Sequence, residues 1–199
     1  MWVIKIGGSL NDDALLPRWL ELVAQLGGGR VVLVPGGGAF ADQARAAQAR
    51  WGCDDVAAHN MAVLAMAQTG CLLQALQPAL QPARSETEMR AVLRRGRSAV
   101  WLPFELLRER ADAITSWDVS SDSLALGLAQ RLNAERLLLV KSCAVDPSLT
   151  HAQLAEAGVL DRRFATLAQE AALPVDILQR DELARARAML IGEARASAA

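Results

Sequence analysis

The sequence predicts an α/β fold in which helices cover both faces of a largely parallel sheet. Short apolar runs alternate with longer amphipathic or alanine-rich segments along nearly the whole chain of 199 residues. The runs are short and continuously apolar, which is typical of strands buried on both faces. Strands that alternate with helices pair in parallel through helical crossovers. We therefore predict one α/β domain without internal repeats.

Composition limits the class of protein. Hydrophobic residues make up 52% of the chain and charged residues 22%, with a formal net charge of −1, which excludes a disordered chain and argues against nucleic-acid binding. The three cysteines have no CxxC spacing and only two histidines are present, so no zinc site is expected. Unpatterned thiols indicate a reducing, cytoplasmic setting. With no export signal and no uninterrupted apolar span, we expect no membrane partner.

The N-terminal half alternates strands and helices. A β-branched run, Trp2–Ile6, predicts the first strand, and a helix over 17–26 follows with a proline in its first turn. A second buried strand is predicted over 31–34, and an alanine-rich helix then reaches about Arg50. A longer helix is predicted over Asp55–Leu76.

The same alternation continues to the C-terminus. A capping box of Ser85 and Glu88 opens a helix that ends at Gly96. The remaining strands are predicted over 99–102, 136–140 and 175–178, and a final helix over 181–191. The alanine-rich tail over 194–199 is expected to be frayed.

Hydroxyl and carboxylate side chains predict the starts of three further helices. Ser120 or Ser121 caps a helix that reaches Leu132. Thr150 and Asp161 are expected to cap two short helices.

Two glycine clusters directly follow the first two predicted strands, Gly7-Gly8-Ser9 and Gly36-Gly37-Gly38. At the carboxyl end of a parallel strand, glycine lets the backbone approach a ligand and direct N–H groups at phosphate oxygens. One cluster alone indicates an ordinary tight turn, but two of them, with Lys5 just before the first, favour a phosphate site. The chain has neither GxxxxGK[ST] nor GxGxxG, so a P-loop or a dinucleotide-binding domain is unsupported.

A polar segment and a second lysine add to this signal. Residues 116–123 combine hydroxyls and two carboxylates at a predicted helix start, which is more than capping requires. Lys141 ends a strand of leucine and valine, where the alternative is a lysine that only reaches solvent. Together these residues predict phosphoryl transfer. Lys5 and Lys141 would stabilise the migrating phosphoryl group, and Asp122 would hold both lysines in place.

At these residues the chain resembles the amino acid kinase family, which includes acetylglutamate, uridylate, isopentenyl phosphate and carbamate kinases. The matching pieces occur in family order: VIKIGGSL, VVLVPGGGAFAD, SWDVSSDSLALGLA, LLLVK and LIGE. The third piece is most similar to the small kinases of methanofuran biosynthesis, which phosphorylate an aminomethylfuran-methyl phosphate. The resemblance implies a three-layer αβα sandwich, the carbamate kinase-like fold, with a mostly parallel sheet of about eight strands.

The resemblance also implies roles within this single domain. An N-terminal half, about 1–110, would hold the phosphoryl acceptor, and a C-terminal half, about 111–193, the nucleotide. The catalytic set would be Lys5, Asp122 and Lys141, in which the carboxylate organises the lysines. The phosphate-binding residues would be Gly7, Gly8, Ser9, Gly36, Gly37 and Gly38. ATP would be the donor, with Mg²⁺ carried by its phosphates rather than by a protein metal site.

Acceptor contacts are implied at four positions. His59 and Asn60 fall where phosphate-accepting relatives contact their acceptor, although His59 is equally well explained as a part-buried polar residue of an amphipathic helix. Trp117 and Asp118 are expected at the same pocket, with a core position the simpler interpretation for Trp117. Family members commonly dimerise, so a homo-oligomer is expected.

The nucleotide loop departs from the family pattern. Ser142, Cys143 and Asp146 are expected to contact the nucleotide, where relatives usually read close to KVDGVY after the lysine. In this chain cysteine replaces the aspartate and Ala144 the glycine, and the usual Gly-Thr after the C-terminal Gly-Glu is missing. Three functions are therefore open. They are a furan phosphate kinase, a kinase for another phosphate such as uridylate or isopentenyl phosphate, and a ligand-binding member without catalysis.

Overall fold

Six parallel strands form one sheet in the computed structural model, which describes residues 1–192. The strands are β1 (Trp2–Ile6), β2 (Val31–Pro35), β3 (Gln81–Ala83), β4 (Ala99–Trp101), β5 (Arg136–Lys141) and β6 (Val175–Gln179). Their order across the sheet is β3-β4-β2-β1-β5-β6, and every pairing is parallel. The tail over 194–199, which we expected to be frayed, lies outside the described residues.

Helices connect the strands and cover both faces of the sheet. They are α1 (Leu16–Leu26), α2 (Gly38–Trp51), α3 (Asp55–Leu76), α4 (Glu86–Arg94), α5 (Ser121–Arg131), α6 (His151–Glu156), α7 (Phe164–Glu170) and α8 (Leu183–Ile191). Successive residues of β1 face opposite layers. Val3 packs in a buried cluster with Leu126 of α5, whereas Ile4 packs in a second cluster with Trp19 of α1 and Met189 of α8. This arrangement confirms the three-layer αβα sandwich.

The number of strands is corrected from about eight to six for residues 1–192. The sheet is also wholly parallel rather than mostly parallel. One of the six, β3, was not predicted, because its three residues include Pro82 and form no apolar run. Proline is tolerated there because β3 is an edge strand. The long connection over 102–120 contributes a 3₁₀ turn and no strand.

The helix starts follow the predicted caps with two differences. Ser120 is the N-cap of α5, and Thr150 opens α6 with a complete capping box. At α4 the Ser85 hydroxyl accepts the Glu88 N–H, but the Glu88 carboxylate accepts from the backbone N–H before Ser85, so the predicted box is half formed. The N-cap of α7 is Arg163 rather than the predicted Asp161. Asp161 accepts the N–H of Phe164, the first residue of α7, but makes most of its hydrogen bonds to the start of α5.

Helix α3 is long and apolar enough to cross a membrane by length and composition alone. Half of its most apolar window is buried inside the protein. Val63, Met66 and Leu73 belong to the two core clusters. The apolarity of α3 is therefore accounted for by its place in the core of this domain.

Candidate active site

The register of the sheet places both lysines on one face. Lys5 of β1 pairs with Leu139 of β5. Side chains alternate along a strand, so Lys141, two residues beyond Leu139, projects to the same side as Lys5. Helix α5 packs on that side, and its first turn carries Asp122. The three charged groups therefore meet at the carboxyl ends of the neighbouring strands β1 and β5.

Asp122 bridges the two lysines and forms with them the lysine–aspartate triad (Lys5, Asp122 and Lys141). Lys5 Nζ lies 2.6 Å from Asp122 Oδ1, and Lys141 Nζ donates a hydrogen bond of 2.5 Å to Oδ2. The exposed fractions of the three residues are 4%, 2% and 8% in chain order. Lys5 and Lys141 are the only two lysines among the 21 lysine and arginine residues of the chain. A sequence otherwise built on arginine thus directs both lysines to one buried carboxylate.

Burial and mutual attraction set the protonation of the triad. Burial alone would raise the pKa of Asp122, but the charges of Lys5 and Lys141 outweigh it and hold that pKa below its usual value. Burial and repulsion from Lys5 lower the pKa of Lys141, and Asp122 opposes this shift. At neutral pH the charged triad therefore carries a net charge of about +1, which suits a phosphate ligand.

The two glycine loops touch each other backbone to backbone. A Cβ on Gly8 would lie 2.1 Å from the Gly38 nitrogen, and one on Gly36 would lie 2.3 Å from the Gly8 nitrogen. Gly38 also has a φ of +54°, which other residues rarely adopt. The N-cap of α2 is Gly37, which has no side-chain cap, so first-turn N–H groups stay available to an anion. These contacts explain why the loops require glycine.

The backbone N–H groups of Gly7 and Gly36 are hydrogen-bonded to carbonyl groups of the neighbouring strands. Gly7 donates to the carbonyl of Val140 and Gly36 to that of Ile6, each at 2.9 Å. Their contribution to phosphate binding is therefore a matter of loop shape and stays a prediction. Ser9 takes a different position, with its hydroxyl oxygen 2.6 Å from that of Ser142.

A cleft of about 610 Å³ opens above the triad. Its floor contains the three triad residues with Gly8, Ser9, Gly37 and Gly38. One wall comes from Asp12, α2 and α3, and the other from residues 116–117, 119–122, 124 and 158–161. Both halves of the chain thus contribute to one cleft, whose size is that of a small-molecule site.

His59 lines the cleft and Asn60 does not. The His59 ring is nine-tenths buried, and its Nε2 lies 2.8 Å from the carbonyl oxygen of Leu106. A carbonyl only accepts, so Nε2 carries the proton and Nδ1 is left for other contacts. Asn60 lies about 100° further round the helix, and its side-chain amide bonds both the N–H and the carbonyl of Arg108.

Trp117 lies in the cleft wall, partly exposed, rather than in the core that its simpler interpretation predicted. Its indole N–H donates to Gln48 at 2.6 Å, and the Arg45 guanidinium lies 4.3 Å from the ring centroid. Asp118 is exposed outside the cleft, 3.5 Å from Arg162. The structure therefore brings Trp117 to the site and leaves Asp118 beside it.

The three predicted nucleotide contacts do not line the cleft. Ser142 contacts Ser9 at its border. Cys143 is exposed, and Asp146 accepts two hydrogen bonds from Ser148 within its own turn. Their roles toward a nucleotide stay predictions.

Several cleft residues escaped the sequence-based prediction. Asp12, Asp42, Arg45 and Asp55 line the wall formed by the N-terminal half, and Asp161 lines the opposite wall. No local motif marks Arg45 or Asp161, because each is defined by its position in the folded chain. A signal for the triad was present in the composition, since the chain holds only two lysines.

Known proteins share both the sequence motifs and the fold. Residues 1–144 match the amino acid kinase family. Over 140 residues the chain is 26% identical to the [5-(aminomethyl)furan-3-yl]methyl phosphate kinase of Methanocaldococcus jannaschii. That match covers 70% of this chain and 64% of the relative, so the chain matches less than two thirds of that protein's length.

Solved kinase structures have the same fold at low identity. Uridylate kinase from Archaeoglobus fulgidus superposes with a TM-score of 0.69 at 15% identity, covering 96% of both chains. UMP kinase from Bacillus anthracis gives 0.67 at 19% identity, over 96% of this chain and 91% of that one. An isopentenyl phosphate kinase gives a TM-score of 0.59 at 16% identity, over 96% of this chain and 97% of that one. With a family match that spans both glycine loops, Asp122 and Lys141, the chain belongs to the amino acid kinase family.

Proposed function

We propose that the protein is an ATP-dependent kinase whose acceptor is a small phosphate monoester bearing an aminomethylfuran. The observation that carries the proposal is the buried lysine–aspartate triad at the floor of a cleft bordered by two glycine loops. In this proposal the wall of Asp12, α2 and α3 binds the acceptor together with Trp117, which donates a hydrogen bond to Gln48 of α2, and the rest of the wall from the C-terminal half binds the nucleotide.

The triad suits the charge that develops in phosphoryl transfer. An acceptor phosphate oxygen bonds to the γ-phosphorus of ATP while the bond from that phosphorus to the ADP oxygen breaks. Negative charge on the migrating group would be stabilised by the Lys5 and Lys141 ammonium groups and by loop N–H groups. Among residues 1–192 no three His, Cys, Asp or Glu side chains converge on a cation site, so Mg²⁺ is assigned to the nucleotide phosphates.

The charged side chains of the acceptor wall favour an acceptor that carries both a negative phosphate and a positive ammonium group. Arg45 lies there with three carboxylates, Asp12, Asp42 and Asp55. Arg45 contacts Asp42 at 3.0 Å, and Asp55 accepts a hydrogen bond from Gln48. A phosphate group would be attracted to Arg45 and an ammonium group to the carboxylates. Uridylate and isopentenyl phosphate have no ammonium group, whereas the acceptor named for the Methanocaldococcus relative has an aminomethyl group.

The acceptor assignment is tested by ADP release with a panel of phosphates. The aminomethylfuran phosphate, uridylate and isopentenyl phosphate are each supplied with ATP and Mg²⁺, alongside a reaction without acceptor. We expect ADP above background only with the furan phosphate. ADP release with uridylate or isopentenyl phosphate, and none with the furan, would contradict the assignment.

Asp55→Asn is expected to weaken binding of the acceptor's ammonium group. We expect KM for the aminomethylfuran phosphate to rise about fivefold, because a charge-assisted contact of roughly 1 kcal/mol is lost. Asp54→Asn is the matched control, because Asp54 caps α3 through the Ala57 N–H and asparagine caps equally well. An analogue without the amine should bind both variants and the wild type alike. An equal loss for amine and analogue would refute this role of Asp55.

The fall of kcat at alkaline pH is expected to reflect deprotonation of Lys141. Burial lowers its pKa, and transfer requires the protonated ammonium group. We therefore expect kcat to fall as the pH rises through this pKa, which lies below the usual lysine value of about 10.4. Lys141→Arg should move this fall to higher pH, because a guanidinium stays protonated. A wild-type kcat that is flat up to about pH 10 would contradict the assignment.

A ligand-binding member without catalysis is the second candidate. It is favoured by the nucleotide loop, where Cys143 is exposed and Asp146 bonds within its own turn. Calorimetry with ATP and Mg²⁺ separates the two proposals. We expect measurable binding, and the absence of binding at millimolar nucleotide would favour the second candidate. Homo-oligomerisation and a cytoplasmic location stay predictions, and light scattering measures the first.

A further inference from the structure

The Asp161 carboxylate accepts five hydrogen bonds, four of them from residues of the α5 start. Its Oδ2 accepts from the Ser120 N–H at 3.0 Å, the Ser120 hydroxyl at 2.9 Å and the Ser123 N–H at 2.9 Å. Its Oδ1 accepts from the Ser123 hydroxyl at 2.5 Å and from the Phe164 N–H at 2.9 Å. A cap for α7 alone would need only the last of these.

These hydrogen bonds enclose Asp122 on both sides. The Ser120 hydroxyl that donates to Asp161 also accepts the Asp122 N–H at 3.3 Å. The next residue after Asp122 is Ser123, which Asp161 holds through both its N–H and its hydroxyl. The backbone before and after Asp122 is thus fixed by one carboxylate from a segment 38 residues or more away in sequence.

Asp161 is itself fixed by the core. Leu160 before it is buried, and Phe164 at the start of α7 is fully buried. Both belong to the cluster that includes residues of α5 and β5. A displacement of Asp161 would therefore require repacking of that cluster, so the carboxylate is a rigid reference point for the start of α5.

The presence of a carboxylate in this wall needs an explanation, because the cleft is proposed to bind phosphates. An unpaired carboxylate there would repel a nucleotide. The five donors around Asp161 occupy both of its oxygens, and its charge lies at the positive end of the α5 dipole. Its negative charge is therefore directed at the protein and not at a ligand.

We propose that Asp161 is a positioning residue for phosphoryl transfer. It holds the start of α5 at the place where the Asp122 carboxylate reaches both Lys5 and Lys141. The kinetic part of this inference rests on the proposed function, whereas the geometric part does not.

Asp161→Ala is the main test, with kcat and the titration of the two lysines as readouts. Loss of the carboxylate frees the start of α5, so Asp122 no longer meets both ammonium groups. We expect kcat to fall about 10²-fold, because small misplacements of catalytic groups have effects of this size, while KM for the acceptor changes little. Labelling with [¹³C]lysine gives only two side-chain signals, since the chain has two lysines. We expect the Lys141 midpoint to move to lower pH.

Asp161→Asn is expected to recover most of the wild-type behaviour. One orientation of the asparagine amide keeps its oxygen toward the Ser120 and Ser123 N–H groups, and its NH₂ toward the Ser123 hydroxyl, which can reverse and accept. Only the Phe164 N–H then loses its partner. Ser85→Ala is the control for loss of a helix cap as such, because Ser85 caps α4 away from the cleft. It should leave kcat and both lysine signals unchanged.

Two outcomes would overturn the positioning role. The first is an Asp161→Ala protein with wild-type kcat and an unmoved Lys141 midpoint. If that variant does not fold, Ser123→Ala replaces it and should move the Lys141 midpoint in the same direction by a smaller amount. The second outcome is therefore an unmoved Lys141 midpoint in Ser123→Ala. A wild-type protein that phosphorylates none of the acceptors would refute the proposed function instead, and the lysine titration would still decide the role of Asp161.

Discussion

Replacing Lys5 with methionine is expected to lower kcat by about 10²–10³-fold while the protein stays folded. The loss removes one of two ammonium groups that would stabilise the migrating phosphoryl group, and removal of one such donor has effects of this size. The fold should persist because Asp122 keeps its hydrogen bond to Lys141. Methionine also fills the space of the lysine stem. Steady-state ADP release gives kcat, and urea unfolding gives stability.

Arg136→Met is the matched control for Lys5→Met. Arg136 is the first residue of β5 and so lies at the amino end of the strand, away from the cleft. Its guanidinium pairs with Asp176 at 2.5 Å. The control therefore also removes a strand cation that has a carboxylate partner, but away from the cleft. We expect its kcat to match the wild type. Equal kcat for Lys5→Met and the wild type would remove Lys5 from the mechanism.

Asp122→Asn is expected to have the largest effect on stability. It leaves two buried ammonium groups without a counter-charge, and breaking a buried ion pair in this way costs about 3–5 kcal/mol. Turnover should fall as well, because the lysines repel each other away from their positions. The free energy of unfolding in urea measures the first effect and ADP release the second. A variant as stable as the wild type would contradict the electrostatic account of the triad.

A double variant identifies the cause of that loss. Removing Lys5 in the Asp122→Asn background eliminates one uncompensated charge, so Lys5→Met with Asp122→Asn should be more stable than Asp122→Asn alone. Such non-additivity is expected only for interacting residues. If the two changes simply add, repulsion between the lysines is not the cause.

The pH dependence of Asp122→Asn has a defined sign. Without the carboxylate that opposes the lowering of its pKa, Lys141 should have a folded-state pKa further below its unfolded value. Between these two pKa values the unfolded chain binds more protons, so the free energy of unfolding rises with pH. We expect the variant to recover stability as the pH rises through the interval between these two pKa values. Recovery on acidification would refute this account.

The central elements of the fold were predictable because their signals are local. β1, β2 and β5 are short, largely apolar runs buried on both faces; a glycine cluster follows β1 and β2, and β5 ends in a lysine. Strand β3 gave no such signal, since its pairing with β4 depends on the whole sheet and not on its own three residues.

The site was predictable where a charged residue stands at the end of a predicted strand or at the start of a predicted helix. Lys5 and Lys141 stand at strand ends, and Asp122 stands at a helix start, so parallel topology brings them together. Asn60 shows the opposite case. It directly follows His59, yet its amide bonds Arg108, which no short-range pattern indicates. Asp161 was predicted only as a local cap, because four of its five hydrogen bonds join residues far apart in sequence.

The most direct test of the central claim is a ³¹P NMR spectrum of the reaction of ATP, Mg²⁺ and the aminomethylfuran phosphate. With wild-type protein we predict that ADP and a new diphosphate ester of the acceptor appear together, and that neither forms when the acceptor is omitted. With Lys5→Met the same products should form at least about 10²-fold more slowly. Failure of the wild type to form the diphosphate, or its formation at an equal rate by Lys5→Met, would contradict phosphoryl transfer by the lysine–aspartate triad.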